Sequence, residues 1–373
     1  METTNQHLRE LVALNLIPNL GAQRIRALLK AVDQPQDVFR LSRTQLTSVY
    51  GIGEATANQI LVFDDWKEAD RIIEKTQHAD FSLLTIVDEA YPKLLKQIYD
   101  PPILLWVRGD AAVLDTDAIA IVGTRSASDY GKDIARDLAG ELVAAGLTVV
   151  SGLAYGIDAA SHRGTLVAGG RTIAVLGSGI DNIYPSKNIR LAFEMAEQGG
   201  AVITEFPPGT EPDAGNFPVR NRIVSGLTLG TVVVESGLKG GSMITASSAL
   251  DQNREVFVVP HSLRSKTGIG CNHLIKTGQG KLIQTVDDIL YEIDIHRKNP
   301  VQNDHEPAER RWKRKELDSL SVSICELLEE SPKHVDELAE RLGRSTHQLL
   351  PKLLELEIQE CVRQTAGKNF ELR

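Results

Sequence analysis

The chain has 373 residues, 42% of them hydrophobic and 24% charged, and a net charge of −9, which at about 150 residues per domain fits two or three soluble globular domains. The acidic balance excludes a general basic coat for duplex DNA but leaves room for a focused cationic cleft. Residues 1–20 lack a basic start followed by an apolar core, no apolar run reaches the about 18 residues that span a bilayer, and Cys271, Cys325 and Cys361 are widely spaced without C-x-x-C pairing, so a reducing, cytoplasmic setting without disulfides or structural zinc is expected.

Residues 1–80 alternate apolar and polar positions at helical spacing, with turns at "IPNLG" and "YGIGEA". They are expected to form a small helical domain. "VYGIGEATANQI" resembles a helix-hairpin-helix, whose glycines let a helix start face a phosphate; the alternative is a bundle that uses its glycines only to turn.

From residue 118 the pattern becomes short β-rich runs, "AIAIVG", "LTVVSG", "TIAVLG", "AVITE", "GTVVVES" and "EVFVVP", most separated by enough chain for a helix. Strands that read as continuous apolar runs imply a parallel sheet covered on both faces. Right-handed crossovers then give a doubly wound α/β fold with its binding crevice beyond the strand C-termini. This core is placed at residues 81–295. Residues 296–315, "HRKNPVQNDHEPAERRWKRK", are nearly devoid of apolar side chains and read as a solvated linker. Residues 316–373 follow as three helices and a hairpin with Gly367 near its tip, a winged-helix pattern. Its third helix, "LLPKLLELEI", is poor in Arg and Lys, which favours a packing or protein-contact role over base reading.

Four segments end a strand in glycine or a small hydroxyl residue: "IVGTRSASDYG", "VSGLAYGID", "VLGSGIDNIYPSKN" and "VESGLKGGSMITA". Missing Cβ atoms expose backbone N–H groups, and the helix N-terminus that follows is partially positive, so phosphate is the ligand that suits these loops. None is a clean G-x-G-x-x-G and no ribose-binding acid follows the first βα unit, so no dinucleotide cofactor is expected. Arg125, Lys187, Arg190, Arg220 and Arg222 fall at matching strand ends, where guanidinium forks can hold phosphate oxygens along a groove. Alternatively one arginine of "FPVRNRIVSGL", Arg222 before Arg220, pairs with Glu205 or Glu235. Tyr130, Tyr155, Tyr184, Phe206 and Phe217 lie in or beside the same loops; a few are expected to contact bases and most to anchor loops. Asp158 and His162 share a helix face at i, i+4, which with Ser161 suits helix pairing better than a catalytic triad. His261, His273 and Cys271 lack zinc-ligand spacing.

"IVGTRSASDYG", "SGLAYGIDAASH", "TIAVLGSGIDNIYPSKN", "FPVRNRIVSGL", "VVVESGLKGGSMITA" and "GCNHLIKTG", in this order from about Ile119 to Ile283, resemble the DNA-processing protein A family, also called Smf. The resemblance implies an extended Rossmann-like, mostly parallel core flanked by an N-terminal SAM-like or helix-hairpin-helix domain and a C-terminal winged helix. It further implies a non-catalytic homodimer that binds and protects single-stranded DNA during natural transformation and loads the RecA recombinase onto it. Carried over by motif, Arg125, Lys187, Arg190, Arg220, Asn221 and Arg222 would line the strand groove. Gly123, Thr124, Ser151, Gly152, Gly241, Ser242 and Thr245 would add backbone or hydroxyl contacts. The chain departs from the family pattern at Ser161, Gly240, Met243 and His261.

Two other readings belong to different classes. One is a nucleotide hydrolase resembling the cytokinin-activating phosphoribohydrolases, although "GGSMITASSA" supplies Thr245 and Ala246 where those enzymes carry a glutamate. The other is a protein-binding scaffold, which would show no affinity for oligonucleotides.

Overall fold

The computed structural model describes residues 7–78, 80–293, 312, 317–359, 361–365 and 369–372. The chain divides into two compact units, Met1–Asn299 and Pro300–Arg373.

The first unit begins with helices α1 (Leu8–Leu16), α2 (Ala22–Lys30), α3 (Arg43–Ser48), α4 (Glu54–Leu61) and α5 (Trp66–Gln77). Between α3 and α4 the chain reverses through Gly51 at φ +84°, a left-handed conformation that glycine adopts without steric cost. Then come β1 (Ser82–Thr85), α6 (Lys93–Lys96), β2 (Leu104–Gly109), β3 (Ala118–Gly123), α7 (Asp129–Ala144), β4 (Thr148–Ser151), α8 (Ile157–Val167), β5 (Thr172–Val175), α9 (Ile189–Glu197) and β6 (Ala201–Thr204). The unit continues with α10 (Asn216–Gly226), β7 (Gly230–Glu235), α11 (Gly241–Asp251), β8 (Glu255–Val258), α12 (Ile269–Lys276), β9 (Lys281–Leu282) and α13 (Val286–Glu292).

The nine strands lie in the order β1-β2-β6-β5-β4-β3-β7-β8-β9. From β6 to β9 every pairing is parallel, while β2 joins β6 and β1 joins β2 antiparallel. Period-two alternation explains how one apolar run serves two cores. In β3, Ile119 and Ile121 enter the layer with α7 and α13, whereas Ala118, Ala120 and Val122 enter the opposite layer. The chain winds outward from β3 to β6 and then returns to β7 on the other side of β3. The switch point therefore lies between the C-terminal ends of β3 and β7.

The six parallel strands read from sequence are all present; β1, β2 and β9 are additions at the two edges. Among the described residues the N-terminal helices have no core of their own. Leu11, Leu14, Leu28, Ile60 and Ile72 share one apolar cluster with Trp106 of β2 and Ile203 of β6. The indole of Trp106 also donates to Thr76 Oγ1 of α5 at 3.0 Å.

The second unit contains α14 (Ser319–Glu330), β10 (Lys333–His334), α15 (Val335–Leu342), α16 (Thr346–Ile358), β11 (Val362–Thr365) and β12 (Asn369–Leu372), with sheet order β10-β12-β11. This is the expected winged helix. Its core gathers Ile324, Leu328, Leu338, Leu349, Leu353 and Phe370. Gly367 and all but Trp312 of the 296–315 linker lie outside the described residues.

Candidate nucleic-acid interface

At the switch point the strand-end loops enclose an open cavity of about 740 Å³. Gly123 to Ser126 after β3, Gly152 and Ala154 after β4, Arg220 and Asn221 of α10, and Gly240 to Ser242 at the start of α11 form its walls. Four stretches far apart in sequence thus meet where the doubly wound topology requires.

Arg220 forms the floor and is only 4% exposed. It donates to the Gly152 carbonyl at 2.7 Å, to the Val175 carbonyl, and through Nε to Asn221 Oδ1 at 3.2 Å. Asp158 faces the same cavity, and its Oδ2 accepts from the N–H groups of Gly152 at 3.1 Å and Ala154 at 3.3 Å. Burial pulls the Arg220 pKa down to about 10, the Asp158 charge opposing and the nearby Arg125 charge assisting. Burial likewise raises that of Asp158, against the pull of Arg220 and of the two backbone donors. Gly152 is required by this packing: a Cβ there would lie 2.5 Å from Arg220 Nη2 and 2.8 Å from Asp158 Oδ2.

Arg125 is exposed at the cavity rim, with its guanidinium carbon 5.1 Å from the Phe217 ring centroid. Among the described residues it meets no carboxylate. Phe217 in turn lies 5.8 Å from Tyr184, so a cation and two rings form one rim. On the facing wall Gly240 caps α11 without a side-chain bond, which leaves the positive end of the helix turned toward the cavity. Ser242 Oγ donates to Ser236 Oγ at 2.7 Å and steadies that turn.

Residues 82–294 match the family model of DNA recombination-mediator protein A. The chain belongs to that family. Residues 307–368 match the DprA winged helix domain and residues 11–63 a SAM-like helix-hairpin-helix tandem. The chain is 41% identical over 240 residues to DNA processing protein DprA of Bacillus subtilis, covering 64% of this chain and 80% of that protein. It is 36% identical over 296 residues to protein Smf of Escherichia coli, covering 78% and 77%. The crystal structure of DNA processing protein A from Streptococcus pneumoniae superposes with a TM-score of 0.66 at 33% identity, over 77% of this chain and 98% of that one. A structure describing the single-stranded DNA binding mode of DNA processing protein A from Helicobacter pylori aligns with a TM-score of 0.53 at 32% identity, over 59% and 100%.

Within this family member the expected site residues separate. Gly123, Thr124, Arg125, Gly152, Arg220, Asn221, Gly241, Ser242 and Thr245 line the cavity. Other expected contacts lie away from the cavity. Ser151 is buried and donates to the Ile121 carbonyl at 2.6 Å, inside the sheet. Arg222 points away and is held in a two-pronged pair with Glu205, one prong at 2.6 Å, and by Asp100 at 2.9 Å, which is the alternative foreseen for it. Lys187 and Arg190 lie outside the cavity, on a separate groove between α8 and α9.

Asp158 and His162 do not pair as the i, i+4 spacing suggested. His162 Nδ1 meets Thr172 Oγ1 at 2.7 Å, while Ser161 donates to the Asp158 carbonyl at 2.8 Å. The place of Asp158 in the cavity escaped sequence reading because its partners are backbone N–H groups, which carry no residue signature. Asn188 was missed too: it is 2% exposed and donates to the Leu153 carbonyl at 2.8 Å, tying the "YPSKN" loop to the "SGLAYG" loop.

Proposed function

We propose that this chain binds single-stranded DNA in the switch-point cavity and, as a non-catalytic cytoplasmic homodimer, protects it and delivers it to the RecA recombinase during natural transformation. The observation that carries the binding step is Arg125, an exposed cation stacked on Phe217 at the mouth of a glycine-walled cleft that also faces the open end of α11. Backbone donors and a guanidinium suit phosphate, and the Tyr184 and Phe217 rings at the same rim suit unpaired bases, which a duplex does not offer. The Helicobacter relative, whose structure describes a single-strand binding mode, supports the same substrate. Among the described cavity residues Asp158 is the one carboxylate, and its bonds to Gly152 and Ala154 together with the Arg220 charge support a role in holding the floor.

Fluorescence anisotropy with labelled single-stranded and duplex oligonucleotides tests this. Single strands should bind more tightly, with a log–log salt slope of about −0.7 per phosphate contact. Arg125→Ala should weaken binding and make that slope shallower by about 0.7. Equal affinity for both forms, or an Arg125→Ala protein indistinguishable from the parent, would overturn the reading.

A further inference from the structure

The groove that holds Lys187 and Arg190 contains a third cation, Arg163, which no motif marked. Arg163 is exposed on α8, Arg190 on α9, and Lys187 in the 3-10 turn Ser186–Asn188 between them. Together they surround a depression of about 450 Å³, with Leu166 and Leu191 in its floor and Val167 89% exposed at its lip. Glu194 is the one carboxylate in the lining, and none of the three cations is ion-paired among the described residues. Three cations against one carboxylate leave a net positive charge over an apolar floor, which complements a strand that offers phosphates and base faces together.

The groove and the cavity are separate depressions, but the chain brings them close together. Arg125, Tyr155, Tyr184, Pro185 and Arg220 line a small pocket beside the cavity, and Pro185 opens the turn that carries Lys187. Only Pro185 and Ser186 separate Tyr184 from Lys187, a span of at most about 11 Å even in extended chain. The Asn188 bond to the Leu153 carbonyl fixes that turn against the cavity wall.

From this geometry we infer that the α8–α9 groove is a second station for the same single strand: DNA leaves the cavity over Tyr184 and Pro185 and is held by Lys187, Arg190 and Arg163. The inference rests on the single-strand reading of the cavity, and oligonucleotide length separates the two. A strand of about 4 nucleotides fills the cavity alone, whereas one of about 16 reaches the groove.

The test is anisotropy of the full chain with oligothymidylates of these two lengths. Arg163→Glu should weaken binding of the long oligonucleotide about 10-fold at low salt and make its salt slope shallower by about 0.7, with the short one unaffected. Val167→Lys, which adds a charge at the lip, should strengthen long-oligonucleotide binding and steepen its slope by a similar amount. A gain of function of this kind cannot come from misfolding. If neither variant alters the affinity gained on lengthening the strand, or if both alter the two lengths equally, the groove is not a station although the cavity still binds. If the parent protein binds neither length, the cavity reading falls and the groove with it.

Discussion

Arg220 and Arg222 are two residues apart, which on an α-helix places them about 200° apart around the axis. That rotation sends Arg220 under the cavity and Arg222 to the far side of α10, where it meets Glu205 and Asp100. Arg222 and Glu205 have side chains only 12% and 16% exposed, and removing one partner strands a poorly hydrated charge, at a cost of about 3–5 kcal/mol. Arg222→Gln should therefore lower the unfolding free energy in urea by about that much, while the folded protein keeps its affinity for single strands. Unchanged stability with lost affinity would return Arg222 to the interface. The residue types of the cleft were legible in sequence, because glycines and cations at strand ends mark phosphate chemistry. Their directions were not, since "RNR" reads as one cluster until the helix beneath it is known.

His162 carries a second prediction at this scale. It is fully buried, and burial holds its pKa at about 3, well below the 6.5 of a free imidazole. The unfolded chain takes up a proton below 6.5 that the native state refuses, so this contribution is intact above 6.5 and is lost progressively as pH falls toward 3. At pH 5 the loss should be about 2 kcal/mol. Asp158 works in the opposite direction, because its raised pKa favours the native state as pH falls. Urea denaturation of the parent and of His162→Gln at pH 7 and pH 5 separates them: the substitution should remove the acid-side loss. A variant that loses stability on acidification as steeply as the parent would assign the effect to other groups.

At the scale of elements, the strands from β3 to β8 announce themselves because both faces of each are covered, which forces continuous apolar runs. Edge strands carry a weaker signal. β1 is four residues long and only Thr85 of it is buried, and β9 has two residues, both exposed. The helices of the second unit were legible for a local reason, since Ser345 and Gln348 form a capping box and Gly343 ends α15 at φ +60°. Sequence could not show that α1 to α5 lack a private core, because helical periodicity reveals an apolar face without revealing what covers it. The bond from Trp106 to Thr76 is one point where α5 locks onto β2. Trp106→Phe keeps most of the buried ring and deletes the bond, so a loss of about 1–2 kcal/mol is expected, with helix and sheet still melting together by circular dichroism. Two separate transitions in the parent would show that the helices fold on their own.

Over the whole molecule a net charge of −9 coexists with cations gathered at the strand ends, so the field that matters to a polyanion is local rather than global. Both the cavity and the groove belong to the unit Met1–Asn299, and the winged helix holds a separate core around Leu338 and Leu353. A fragment covering residues 1–299 should therefore fold, and should bind single strands with the salt slope of the full chain. A cut at residue 81 is a different matter. It would strip from the sheet the helices that share a core with Trp106, leaving an apolar face in water and an unstable, aggregating product. Gel filtration and circular dichroism of the two fragments, followed by anisotropy of the soluble one, check both halves of the expectation. A soluble, cooperatively folded fragment from residue 81 onward would contradict the shared core. A 1–299 fragment whose salt slope is shallower than the full chain's by about 0.7 or more would place a phosphate contact in the winged helix.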